Sequence, residues 1–430
     1  MKYNIKTLGD CVELVIDYRG KTPKKLGGDW SEVKDGYRAL SAKNIKEQKL
    51  VNKDSIRYLS EELYRKWMKE EVIKGDLLLT SEGPLGESLL WDSDEKIVLS
   101  QRLFAIRPKK EVLYPKFLAA FAQSSFFRYE LEARATGTTV LGIRQPELLK
   151  TKLILPPMEV QKFIGDLHYN INSKLRANEE IIDQLESIAQ SLFENWFINF
   201  EFPNEEGKQY KSSEGDMVDS ELGKIPKGWK IWSLNELVDN ISQSIKKKEK
   251  KQAIFLNTSD ILEGEFLHSN YSDTSQMPGQ AKKLIQKDDI LYSEIRPANK
   301  RFAYVDFDAK DYVVSTKLMV LRTKQEIFSS KCLYLFLKNI KTIEQLQRAA
   351  ESRSGTFPQI TFKEISLFKF ALPEKGFFDG NYKILEHLVD LQLNLIRENQ
   401  VFRSLRNTLI PKLLSGEIQI PLEKEEILNV

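Results

Sequence analysis

A chain that repeats its own pattern once must fold as two related bodies. This sequence does so with a period of about 220 residues. KTLGDCVELV near the start is answered by WSLNELVDNI, and ALSAKNI by FLNTSDI. VIKGDLLLTSEG is answered by LIQKDDILYSEI, and IVLSQRLFAIRP by YVVSTKLMVLRT. ATGTTVLGIRQPELLKTKLILPP is answered by RSGTFPQITFKEISLFKFALPE. Five blocks in one order at a near-constant offset describe a duplicated domain rather than a solenoid, whose repeats are far shorter.

Within each half, short apolar runs at Asp76–Leu79, Ile97–Ile106, Asp289–Tyr292 and Tyr312–Leu321 predict strands. Tyr114–Glu132 and Lys331–Ala350 predict helices. Each half is therefore an α+β globule, and each is followed by a different pattern. After Leu155-Pro156-Pro157, apolar residues fall at Ile164, Leu167, Ile171, Leu175, Ile182, Leu185, Ala189, Leu192 and Trp196. After Leu372-Pro373 they fall at Ile384, Leu388, Leu391, Leu395, Phe402, Leu405, Leu409 and Leu413. Alternating steps of three and four are the signature of a coiled-coil seam. The seams align at one offset of 220, pairing Ile171 with Leu391 and Leu185 with Leu405, and they share a polar step at Asn178 and Glu398. A polar residue in such a seam fixes register at some cost in stability. The expected layout is a globule over 1–157, a long helix over 158–200, a linker over 201–228, a second globule over 229–374 and a second long helix over 375–416. The linker, rich in Pro, Gly, Ser, Asn and acids, reads as an extended connector. The two helices are expected to pair as an antiparallel coiled coil.

Composition narrows the function mainly by exclusion. No apolar run approaches the roughly 18 residues of a membrane helix, and Asp10 and Glu13 stand where a signal peptide keeps its apolar core. The expected setting is cytoplasmic, with no membrane partner. Cys11 and Cys332 lie far apart, as do His168, His268 and His387, which argues against a disulfide framework or a metal site. There is no N-P-P-Y or D-P-P-Y segment, no glycine-rich cofactor loop and no phosphate-binding G-x-x-x-x-G-K-[ST], so a non-catalytic chain is expected. Net charge is only +3, and distribution matters more: Lys246, Lys247, Lys248, Lys250 and Lys251 form a basic run.

This layout resembles the specificity subunits of type I restriction-modification systems, over essentially the whole chain. LILPPMEVQKFIGDL is similar to the family's L-P-P-x-x-x-Q entry into the first helix, and IPKGWKIWSL to the opening of the second recognition domain. LIPKLLSGEI is similar to the end of the second helix, and FPNEEGKQYKSSEGDMVDSELG to the central linker. ALPEKGFFDGNYKI departs from the pattern, lacking the second Pro and the Gln. The resemblance implies two target recognition domains reading a bipartite site in double-stranded DNA. It implies two methyltransferase subunits and restriction-translocase subunits as partners, with S-adenosylmethionine, ATP and Mg bound in those partners and none in this chain. A fused methyltransferase or nuclease, or a coiled-coil scaffold that does not read DNA, are the competing classes.

Physical chemistry suggests where DNA would be held. Arg19, Lys21, Thr22, Lys24 and Lys25 make a basic loop around Gly20. Arg134, Thr136, Gly137, Thr138, Thr139 and Arg144 combine cations, hydroxyls and a glycine. Arg353, Ser354, Gly355, Thr356 and Gln359 repeat that chemistry in the second half, with Ser293, Arg296, Lys300 and Arg301 as a further patch. Arg and Gln can read guanine and adenine edges, while Lys and hydroxyls suit phosphate.

Overall fold

The strands Leu103–Pro108 and Leu318–Thr323 show how the globules are built. In the first, Phe104 and Ile106 face one apolar core while Leu103 and Ala105 face another. In the second, Met319 and Leu321 face one core and Leu318 and Val320 the other. The two-residue period of a strand thus serves two cores at once, which is why these runs are apolar at nearly every position. The computed structural model describes residues 3–31, 34–245, 250–324, 328–373 and 379–420. The chain divides into two compact units: Met1–Ala177 joined by Asn399–Val430, and Asn178–Glu398.

In the first unit, Asn4–Thr7 pairs antiparallel with Lys152–Leu155 and closes the globule. A four-stranded sheet runs in the order Val12–Asp17, Leu103–Pro108, Leu77–Thr80, Ser88–Leu90. A three-stranded sheet runs Arg57–Leu59, Tyr37–Leu40, Val98–Leu99, with its last pair parallel. The second unit repeats this order and adds one strand to the second sheet. Lys230–Ser233 pairs with Lys369–Leu372. One sheet runs Val238–Asn240, Leu318–Thr323, Ile290–Ser293, Phe302–Tyr304, and the other runs Tyr271–Asp273, Gln252–Leu256, Tyr312–Ser315, Ala281–Leu284. The duplication extends to one buried ion pair per globule. Arg107 grips Asp76 through Nε and Nη2 at 2.9 Å each, and Arg322 grips Asp289 at 2.7 and 2.8 Å.

The runs Ile97–Ile106 and Tyr312–Leu321 each break into two strands of different sheets, at Ser100-Gln101-Arg102 and Thr316-Lys317. Arg102 turns the corner in the left-handed region at φ 64°. The helical runs break as well. Ser124 and Asn339 act as N-caps, accepting from Phe127 N and Lys341 N, so each run is two helices: Pro115–Phe121 with Ser125–Glu132, and Ser330–Lys338 with Ile340–Arg353.

The long helices are Met158–Phe197 and Asp379–Ser415. Gln161 explains the L-P-P-x-x-x-Q entry: its Oε1 accepts from Tyr114 N at 3.0 Å, and its Nε2 donates to the carbonyls of Pro156 and Val112. The helices run antiparallel in each unit. In the second unit, Gln392 Nε2 donates to the Ile182 carbonyl and Phe197 stacks on Tyr382. In the first, Arg406 Nη1 donates to Asn172 Oδ1 at 2.8 Å, and Ile410 and Leu413 share a core with Val160 and Ile164. The polar seam step is a contact: Asn178 Nδ2 donates to Glu398 Oε2 at 2.7 Å.

The seam of the second helix lies one stripe away from Ile384 and Leu391, with Leu388 half-buried at its edge. Leu385, Val389 and Leu393 are buried, while Ile384, Leu391 and Leu405 are exposed. Both stripes are apolar in sequence, and the core of the second globule selects the one it covers. The linker is folded rather than extended: Met217–Ser220 pairs with Gly223–Pro226, and Phe202 stacks between Tyr210 and Trp229.

Candidate nucleic-acid interface

In the first unit the loop after Val12–Asp17 and the segment from Thr136 to Arg144 come together around a cleft of about 950 Å³. Arg19 holds the two walls together. It grips Asp17 through Nε and Nη2, donates Nη1 to the Ile143 carbonyl at 3.0 Å, and lies 4.1 Å from the Phe104 ring centre. Lys21 donates to the Trp67 carbonyl and sits over the Tyr18 ring. Burial, then Lys69, holds its ammonium below the ordinary lysine pKa. Thr22 Oγ1 accepts from Lys25 N, and Lys25 Nζ donates to the Gly20 carbonyl, while Lys24 is exposed. The basic loop is therefore partly self-bonded.

On the opposite wall Arg134 is committed to Glu130 at 2.9 Å. Thr136 exchanges backbone hydrogen bonds with Gly142, and Gly137 sits at φ 115° where a Cβ would lie 2.3 Å from the Val140 carbonyl oxygen. That glycine is required by its own turn. Thr138, Thr139 and Arg144 are exposed, and Arg144 lines the cleft.

In the second unit Ile295 bridges Gln359, and Arg296, at φ 44°, donates its backbone N–H to the Pro358 carbonyl and Nη2 to the Thr356 carbonyl. The structure thus joins the Arg296 patch to the Ser354–Gln359 loop. Thr356 and Phe357 are exposed, Phe357 by 70%. Gly355 is in open space at an ordinary φ and is not the counterpart of Gly137. Other candidates are drawn into the scaffold. Ser293 is buried with its hydroxyl bonded to Ile295, and Arg301 donates to the Ser259 and Ile261 carbonyls. Lys300 pairs with Glu263 and Arg353 with Glu364. Of the basic run, Lys246, Lys247 and Lys248 lie outside the described residues; Lys250 pairs with Asp311 at 2.7 Å.

Arg102 and Lys317 were missed by the sequence reading. They occupy the same corner of the two globules, immediately before the strands Leu103–Pro108 and Leu318–Thr323. Arg102 lines the first cleft, 3.1 Å from Glu82. Lys317 lies 3.4 Å from Glu294 and 3.2 Å from Gln359 Oε1. Their signal was S-Q-R-L answering S-T-K-L inside an already aligned block, hidden because the block read as one strand.

A family profile described as the type I restriction modification DNA specificity domain matches residues 2–187 and again 226–401. The chain belongs to this family. It is 42% identical over 177 residues to the type I restriction enzyme HindI specificity subunit of Haemophilus influenzae, a match spanning 41% of this chain and 38% of that relative. It is 25% identical over 363 residues to the MjaIX specificity subunit of Methanocaldococcus jannaschii, covering 81% and 78%. Its fold is that of the S subunit of a type I restriction-modification system from M. genitalium, at a TM-score of 0.58, 15% identity and 96% coverage of both chains. Among the described residues no helix is long and apolar enough to cross a membrane, and no group of three His, Cys, Asp or Glu could hold a metal ion.

Proposed function

We propose that this chain is the sequence-reading subunit of a type I restriction-modification complex, with each globule reading one half of a bipartite DNA target. The observation that carries this is the pair of family-matching globules, each presenting loops with cations and hydroxyls around one corner of the fold. In this reading Lys24, Thr138, Thr139 and Arg144 of the first half, and Arg296 and Thr356 of the second, reach DNA. Arg19, Arg134 and Arg301 shape the loops that carry them. Phosphate contacts set position, and base edges set sequence.

The long helices act as spacer and platform. At about 1.5 Å per residue, helices of 40 and 37 residues are about 60 and 55 Å long, more than one DNA turn of ~34 Å. Their exposed apolar residues, including Ile181, Ile188, Ile384 and Leu391, suit the docking of two methyltransferase subunits. Those partners supply S-adenosylmethionine and the pocket for the extruded adenine. Restriction-translocase subunits supply ATP- and Mg-dependent chemistry, and this chain catalyses nothing itself.

The test is to express the chain with its methyltransferase subunits and sequence the methylome. Replacing residues 1–157 by the same region of a relative is expected to change one half-site and leave the other, and the spacer, intact. A swap that altered both half-sites together would refute modular reading, and methyl transfer by the isolated chain would refute the non-catalytic role.

A further inference from the structure

Resting on that reading, we propose that Glu82 with Arg102, and Glu294 with Lys317, are the specificity-determining pairs, each reading one G·C pair in its own half-site.

Four observations lead there. The two cations sit at one structural corner of the duplicated fold, since Leu103 pairs with Thr80 and Leu318 with Ser293; in that register Glu294 stands level with Ser81, so the two acids reach the corner from adjacent rather than identical positions. The flanking loops are anchored alike: Ile143 N donates to the Ser81 carbonyl and Ile360 N to the Glu294 carbonyl, each at 2.9 Å. The cation of the first pair is placed at a conformational cost. Arg102 is a non-glycine residue at φ 64°, and its carbonyl accepts from Ser81 N at 2.9 Å, so the backbone at the corner is held in place, and its Nε lies 3.1 Å from Glu82. Finally, both cations are accessible, Lys317 at 43% beside a Glu294 that is 20% exposed. The side chains of Arg102 and Glu82 are 55% and 42% exposed, so the ion pair is weak and can be exchanged for another partner.

The acid decides between phosphate and base. A carboxylate 3.1 Å from the cation repels a phosphate, so the pair is poorly built as a backbone anchor. A G·C pair instead presents, side by side in the major groove, the N7 and O6 acceptors of guanine and the N4 amino donor of cytosine. Arg102 or Lys317 supplies donors to the first two, and Glu82 or Glu294 accepts from the third. In the second globule Gln359 Oε1 accepts from Lys317 Nζ at 3.2 Å and so helps to hold the cation at this corner.

The experiment uses the full chain assembled with its methyltransferase subunits, methylating a random-sequence duplex library with S-adenosylmethionine. Assembly and Tm of each variant serve as folding controls. Arg102→Gln is expected to lower discrimination at one G·C position of the first half-site by about 5- to 150-fold, leaving the second unchanged. Lys317→Gln does the converse. Glu82→Gln is expected to relax the same position as Arg102→Gln while tightening binding to random duplex. Uniform loss of affinity across all sequences with a reduced salt slope in Arg102→Gln would make it a phosphate anchor and overturn the proposal. Unchanged selectivity in both cation variants overturns it equally. A wild-type complex with no bipartite preference would instead overturn the underlying reading, and this inference with it.

Discussion

His168 gives the first unit a pH limit. It lies on the first long helix, 3% exposed. Arg406 Nη1 donates to Asn172 Oδ1, which turns the Asn172 amide so that its Nδ2 faces His168 Nε2 at 3.0 Å. An amide donor on that nitrogen requires a neutral ring. Burial, then Arg406 and Arg176, pushes the imidazole pKa down to about 4 from 6.5. Above pH 6.5 the folded and unfolded chains are both neutral there, and the stability is complete. As pH falls from 6.5 towards 4, the unfolded chain takes up a proton that the folded chain refuses, so stability is lost across that window. At pH 5 the loss is about 2 kcal/mol, rising to about 3.4 kcal/mol below pH 4, at ~1.36 kcal/mol per pKa unit. His168→Leu is the natural comparison, because the repeat places Leu388 at the equivalent step. The unfolding free energy of the wild type relative to the variant, measured by calorimetry and denaturant titration between pH 5 and 7.5, should fall by about 2 kcal/mol as pH falls. Carboxylate titration, common to both, cancels in the difference. Parallel curves, or an imidazole that NMR shows protonated at pH 5.5 in the folded protein, would refute the reasoning.

Three further outcomes test the structure. Arg107→Met leaves the Asp76 carboxylate, 1% exposed, without its cation and is expected to cost about 3–5 kcal/mol in denaturant melts, with partial recovery in the Asp76→Asn double variant; an unaffected midpoint would contradict the buried pair. Leu393→Asp, at a position 5% exposed, should prevent folding of the second unit as read by circular dichroism. Leu391→Asp, two residues away and 51% exposed, should leave folding intact and weaken only methyltransferase docking in pull-down. Gly137→Ala should cost about 1–3 kcal/mol because its turn needs positive φ, whereas Gly355→Ala should leave Tm unchanged.

The duplication, the α+β globules and the pairing of two long helices were legible in the chain itself, because apolar periodicity and a constant offset survive wherever a core must be filled. Asn178 and Glu398 were legible for the same reason: a polar step in an apolar seam is conspicuous, and the two do meet. The corner at Arg102 and Lys317 was not. Ile97–Ile106 is apolar on both sides of Ser100-Gln101-Arg102 because its two strands serve different sheets, and a short polar step alone does not separate a corner between two strands from a polar stretch within one. Nor could sequence choose between the stripes Ile384–Leu388–Leu391 and Leu385–Val389–Leu393, since both are apolar and only the globule packed against the helix decides which is covered. The same holds for the basic and hydroxyl side chains. Composition put Arg19, Arg134, Ser293 and Arg301 beside Lys24, Arg144 and Arg296 as equals. Tertiary structure spends the first four on carbonyls, carboxylates and buried turns and leaves the last three at the surface, because only the fold decides which partners, near like Glu130 for Arg134 or distant like Ile143 for Arg19 and Ile261 for Arg301, come within reach.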